Sequence, residues 1–291
     1  MPEGDTIWLA AKRLDTALRG SPLIASDLRT PRLATRCLAG RTILEVAPAG
    51  KHLLMRFDHG WTLHSHLRMD GSWHLYRPGC AWRGGPTHTI RAILRTSEWT
   101  AVGFRVHDLH LIRTRDEHRL IGHLGPDILA GEQVVGEQVV GEQVVGELPA
   151  NPRGPGPMAG WDPARVLTGL AGQPEREIGS ALLDQRILAG VGNIYRCEAL
   201  FLTGVNPWQR VATVPDLVAV IDQVRALMVR NRGRSSQSTT GADGHDRAHY
   251  VHGRNHRPCR RCGTPIRTAD QGVPPATRVT YWCPSCQPRL P

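Results

Sequence analysis

The sequence predicts a multidomain α+β protein: an N-terminal antiparallel β-sandwich or barrel behind a leading helix, then a helical segment, then a cysteine-bearing β-hairpin. Three observations carry this. Apolar residues alternate with period two across residues 40–120. Helical spacing returns across 161–232. Two Cys-x2-Cys pairs sit near the C-terminus.

Residues 5–20 read as a helix with Trp8, Leu9, Leu14 and Leu18 toward one face, ended by Gly20 and Pro22. In the period-two region Leu53, Met55 and Phe57 fall on one side and Leu54 and Arg56 on the other. Leu63, Ser65, Leu67 and Met69 alternate with His64, His66 and Arg68. Turn signals at Asp58-His59-Gly60 and Asp70-Gly71 separate the runs, which makes the sheet antiparallel. Residues 131–147 repeat Gly-Glu-Gln-Val-Val three times and end in Gly-Glu. Five residues are too few for a solenoid unit, so this is read as an expansion within a linker. Helices follow, with a stripe at Ile178, Leu182, Leu183 and Ile187, a second helix through about Leu202, and a third over about 215–230. The Ser, Thr, Gly and Asp content of 233–248 predicts a mobile loop. The expected domains are 1–125, a linker over 126–160, a helical domain over 161–250 and a metal hairpin over 251–288.

The 291 residues carry a formal charge of +10, which points to a polyanionic partner. Lys12 and Lys51 are the only lysines among 36 basic residues, so a lysine kept against that bias is a candidate for lysine's own chemistry. No apolar run approaches the roughly 20 residues of a membrane span, and the N-terminus lacks a signal-like segment. Scattered Cys37, Cys80 and Cys197 suit buried thiols in a reducing cytosol. The expectation is a cytoplasmic protein.

Three motifs carry chemistry. Cys259-x2-Cys262 precedes Cys283-x2-Cys286 by 20 residues, a spacing suited to an all-cysteine, structural zinc site on a hairpin; two disulfides are the alternative. Arg254, Arg257, Arg260, Arg261, Arg267 and Arg278 line that hairpin and suit phosphate contact. Gly190-Val191-Gly192-Asn193 joins two helices, and free N–H groups at the following helix start favour an anion such as a DNA phosphate; a plain helix connection is the alternative. Met1-Pro2-Glu3-Gly4-Asp5-Thr6 permits removal of Met1. The exposed Pro2 amine would titrate near pH 8, leaving part of it neutral and nucleophilic.

Together these motifs resemble the formamidopyrimidine-DNA glycosylase and endonuclease VIII family. The resemblance includes Gly50-Lys51-His52-Leu53-Leu54, His66-Leu67-Arg68-Met69-Asp70-Gly71, Leu124-Gly125-Pro126-Asp127-Ile128-Leu129, Leu182-Leu183-Asp184-Gln185, Val251-His252-Gly253-Arg254 and Arg278-Val279-Thr280-Tyr281-Trp282-Cys283. The N-terminal hexapeptide is similar to the endonuclease VIII branch. The resemblance implies a β-sandwich, a helix–two-turn–helix domain and a zinc finger holding one Zn2+, acting as a monomer on damaged DNA at the bacterial nucleoid. It implies that Pro2 attacks C1′ of a flipped-out nucleotide, Glu3 handles the proton that opens the sugar, Lys51 assists β-elimination and Arg278 clamps phosphate during δ-elimination. Gly190, Gly192, Asn193 and Arg254 would hold the DNA backbone. Met69 has two readings, a wedge filling the vacated stack or an inward core residue.

Asp5-Thr6 stands where the oxidised-guanine branch carries Pro-Glu. Phe104-Arg105-Val106-His107-Asp108-Leu109 replaces that branch's Asp-Pro-Arg-Arg-Phe-Gly segment. Both departures tilt the expected substrate toward oxidised pyrimidines and abasic sites. The alternatives are an oxidised-purine glycosylase, a catalytically silent DNA-binding module of the same fold, and a zinc-hairpin interaction protein.

Overall fold

The computed structural model describes residues 2–131, 160–244, 246–274 and 277–289. The chain opens with α1 (Gly4–Leu18), which buries Ile7, Ala11, Leu14 and Leu18. Trp8 and Leu9, expected on that face, are only half-buried. The reason is that α1 lies between two cores. Ile7, Ala11, Leu14 and Leu18 enter the core of the first domain, while Trp8 packs against that of the second.

Eight strands follow: β1 (Ala25–Leu28), β2 (Ile43–Ala49), β3 (His52–Phe57), β4 (Trp61–His66), β5 (Ser72–Tyr76), β6 (Ile90–Arg95), β7 (Thr100–Phe104) and β8 (Asp108–Arg113). They form two antiparallel four-stranded sheets, ordered β2-β3-β4-β8 and β1-β6-β7-β5. Two separate sheets decide for a sandwich over a barrel. Leu53, Met55, Phe57 and Leu63 enter the core between them as the alternation predicts. On the other face Leu54 pairs with His64 and Arg56 with Thr62. Arg56 is held there by Glu117 through two bonds of 2.9 and 2.8 Å.

After α2 (His118–Ile121), residues 126–131 depart from the linker expectation. Ile128 and Leu129 are buried in the second core, and Asp127 Oδ2 accepts from Gly50 N at 2.7 Å. The pentapeptide repeat lies outside the described residues except for Gly131.

The second domain contains α3 (Pro163–Ala171), α4 (Ile178–Ala181), α5 (Asn193–Leu202) and α6 (Leu217–Asn231). Asp162 and Asp216 cap α3 and α6 by accepting from Arg165 N and Ala219 N. The stripe from Ile178 to Ile187 does not form one helix. The chain leaves α4 after Ala181 because side chains take over the backbone groups. Asp184 accepts from Arg186 N, and Gln185 bonds Leu183 O, Val191 O and Gly190 N. Leu183 is left half-exposed.

The loop expected to be mobile at 233–248 is tied to the domain: Ser238 exchanges backbone bonds with the Asn231 side chain, and Thr239 donates to the buried Glu198. The chain ends in a hairpin of β9 (Arg267–Gln271) and β10 (Arg278–Trp282). Of the scattered cysteines, Cys197 is buried as expected, whereas Cys37 and Cys80 are exposed.

Candidate active site in the interdomain cleft

Folding brings Pro2, Lys51, Met69, Gly192, Asn193 and Arg278 onto the walls of one cleft of about 940 Å³. Each arrives on a different support. Pro2 and Glu3 precede α1, and Gly4 N donates to Gly190 O at 2.9 Å, fixing the N-terminus to the glycine turn. Lys51 sits in the β2–β3 turn, whose Gly50 is held by Asp127. Met69 is 64% exposed, which rules out the core reading and leaves it projecting from the turn before β5. Arg278 opens β10 and is exposed.

Glu3 is fully buried behind Pro2. Its Oε1 accepts from Ile194 N at 2.9 Å, whereas Oε2 has no partner. The N–H of Ile194, at the start of α5, is thus taken by the chain's own Glu3, while Gly192 and Asn193 face the cleft. Gly192 is required by that contact: a Cβ would fall on Glu3 Cδ and lie 2.6 Å from Oε1. Gly190 serves the turn itself, with φ at +98°. It does not reach the cleft wall.

Burial pushes the Glu3 pKa up, Asp5 adds to the rise, and Lys51 and the N–H groups of Ile194 and Gly192 pull it down; the result is about 7. Burial lowers the Lys51 pKa, Arg278 adds to that, and Glu3 opposes it. Glu3 can thus hold or release a proton near neutrality, and Lys51 is primed toward its neutral form.

Asn193 faces the cleft but also braces it. Its Nδ2 donates to Val279 O at 2.8 Å, next to Arg278. Arg196, missed by the sequence reading, is 1% exposed and donates to Asn193 Oδ1, Thr280 Oγ1 and Gln271 Oε1. It locks α5 to both hairpin strands. Arg68 and Arg176 also line the cleft and were missed, because their sequence spacing to the other residues gives no signal. Arg254 is not brought there: its guanidinium is turned inward to Tyr250 O and Pro258 O. Arg261 is likewise committed to Phe201 O and Leu202 O. Phe104 is fully buried, so it fills no gap in DNA.

Cys259, Cys262, Cys283 and Cys286 converge with all sulfur atoms within 4.8 Å of one another. That donor set fits one tetrahedral metal ion and supplies four ligands. The site lies beside the buried cluster of Phe201, Val251 and Ile266, at the base of the hairpin.

Residues 1–124 match the formamidopyrimidine-DNA glycosylase N-terminal domain model, and 155–239 match the H2TH domain model of the same glycosylases. The chain is 49% identical over 289 residues to a probable endonuclease 8 2 of Streptomyces coelicolor, covering 99% of this chain and 94% of that protein. It is 37% identical over 287 residues to the DNA-(apurinic or apyrimidinic site) lyase Nei2 of Mycolicibacterium smegmatis, covering 99% of both. Its fold matches that of the Lactococcus lactis formamidopyrimidine-DNA glycosylase solved with oxidised-pyrimidine DNA, with a TM-score of 0.75 at 21% identity over 99% of this chain and 100% of that one. The chain therefore belongs to the formamidopyrimidine-DNA glycosylase and endonuclease VIII family.

Proposed function

We propose that this protein is a bifunctional DNA glycosylase and AP lyase of base excision repair, with oxidised pyrimidines as favoured lesions. The observation that carries it is the convergence of Pro2, Lys51 and Arg278 on one cleft, with Glu3 buried next to Pro2 and electrostatically coupled to Lys51.

Once Met1 is removed, the Pro2 nitrogen lone pair forms a bond to C1′, the damaged base leaves with the glycosidic electron pair, and the amine's N–H proton passes to the departing base. Glu3, whose unpartnered Oε2 can carry a proton, gives it to the ring oxygen as the sugar opens to the iminium. Loss of a C2′ proton then expels the 3′-phosphate, with Lys51 at that phosphate, and a second elimination expels the 5′-phosphate under Arg278. Asn193 and Gly192 hold the backbone around the lesion. Met69, exposed on its turn, enters the gap left by the base. The four cysteines hold one structural Zn2+ that stiffens the hairpin presenting Arg278 and takes no part in the chemistry. The cleft is formed by one chain, which supports action as a monomer, and the bacterial relatives with repair names support a place with the DNA in the bacterial cytoplasm, at the nucleoid.

The test is borohydride trapping on lesion-bearing DNA. The wild-type protein should become covalently attached, a retained N-terminal tag should abolish attachment, and Lys51→Arg should keep it. Attachment that survives the tag but not Lys51→Arg would make Lys51 the nucleophile. No attachment by the wild-type protein on any lesion would favour a silent DNA-binding module.

A further inference from the structure

Asp5 lies two residues from Glu3, is 2% exposed, and has no part in the chemistry above. Its Oδ2 accepts from Tyr195 Oη at 2.8 Å. Gln237 Nε2 donates to Oδ1 at 2.9 Å and to Oδ2 at 3.1 Å. Tyr195 belongs to α5 and Gln237 to the loop after α6, so three distant segments converge on one carboxylate. Both donors are neutral. Burial raises the Asp5 pKa and the bonds from Tyr195 and Gln237 lower it, so these two donors favour the ionised carboxylate, which acts on Glu3 through a buried medium.

We propose that Asp5 is a positioning residue for the glycosylase step: with Tyr195 and Gln237 it fixes the first turn of α1, and hence Pro2 and Glu3, against α5, and its charge keeps a proton on Glu3 for the sugar oxygen. This rests on the function proposed above. The groups that face Glu3 are Lys51 from the β2–β3 turn, Asp5 from its own helix, the N–H groups of Gly192 and Ile194, and Tyr195 from α5. The Pro2 amine adjoins it in the chain. Lys51 and the two N–H groups favour ionised Glu3. Asp5 supplies the opposing charge, in line with the direction in which it moves Glu3.

Asp5→Asn removes the charge and keeps the shape, since its amide can still accept from one donor and bond the Tyr195 oxygen. Single-turnover excision from a duplex with one oxidised pyrimidine is followed from pH 5.5 to 8.5. The wild-type to variant rate ratio should rise with pH. It should be close to one at the acid end, where Glu3 is protonated in both. It should reach about tenfold at the alkaline end for each unit by which the Glu3 pKa falls. Gln237→Ala weakens the support of the Asp5 charge and should shift the ratio the same way by less. A ratio of one throughout, or a loss equal at every pH, overturns the proposal, the second by showing Asp5 to be structural only. Should Asp5→Asn not fold, Gln237→Ala carries the test, and a flat ratio overturns it again. Wild-type trapping on an abasic duplex runs alongside. If the wild type traps and the ratio is flat, Asp5 alone is misassigned; if the wild type does not trap, the function falls and the Asp5 role with it.

Discussion

Gly192→Ala tests the arrangement of Glu3 without touching a reacting group. The added methyl would fall on Glu3 Cδ, 2.6 Å from Oε1 and 2.7 Å from Cγ. Glu3 is fully buried, so its carboxyl has no solvent-side room to move into. Forcing it aside should cost about 1–3 kcal/mol in overpacking. Loss of the bond from Ile194 N adds about 1–3 kcal/mol, because the donor stays buried without its acceptor. Together this is on the order of 2–6 kcal/mol of stability. Displacing the proton carrier should also lower single-turnover excision about 100-fold or more. The assay pairs thermal or urea unfolding with excision for Gly192→Ala, Glu3→Ala and the double variant. In the double variant the clash is gone, so much of the Gly192→Ala stability loss should return while excision stays low. Gly190→Ala is the contrast. Its cost comes from φ at +98°, about 1–2 kcal/mol, and removal of Glu3 should not relieve it. Wild-type excision by Gly192→Ala, or additive stability losses in the double variant, would refute the reasoning.

Cys262→Ser should release the metal and weaken DNA binding, since a structural ion supplies much of a small hairpin's folding energy; metal analysis finding no zinc in the wild-type protein would remove the basis for this. Glu198→Ala should destabilise the protein by about 3–5 kcal/mol, read by urea unfolding. That buried carboxylate accepts from the N–H groups of Tyr250, Val251 and His252, and all three would lose their partner. Excision of oxidised pyrimidines should be faster than that of 8-oxoguanine opposite cytosine, because Phe104 is buried and Arg105 is bound to Asp70 O at 3.0 Å. Equal or faster excision of 8-oxoguanine would place the protein in the other branch.

The pattern of residues along the chain determined what periodicity and local chemistry can determine. Alternation put Leu53, Met55 and Phe57 inward, because side chains on a strand alternate by geometry alone. The Cys-x2-Cys pairs marked the four-cysteine cluster, because two knuckles at that spacing bring four sulfurs together once a hairpin forms. Pro2, Glu3, Lys51 and Arg278 were legible as a group through the order of their motifs, not through any local property. What the sequence could not supply was which face meets which core. Trp8 left the expected face of α1 because a second domain lies beside that helix, and the helical stripe after Ile178 broke where Asp184 and Gln185 captured backbone groups. Arg254 reads as a phosphate contact until two carbonyls are seen to hold it. The glycines of the Gly-Val-Gly-Asn turn read as a phosphate cradle, yet Gly192 is small to admit Glu3. Only the tertiary structure decided these points: Trp8 and Gly192 answer to distant segments, while Asp184, Gln185 and Arg254 make local bonds whose side-chain geometry the residue pattern does not fix. The largest such effect is electrostatic: Glu3 is an ordinary carboxylate by sequence, and its pKa near 7 comes from burial beneath α5 with Asp5 and Lys51 pulling in opposite directions.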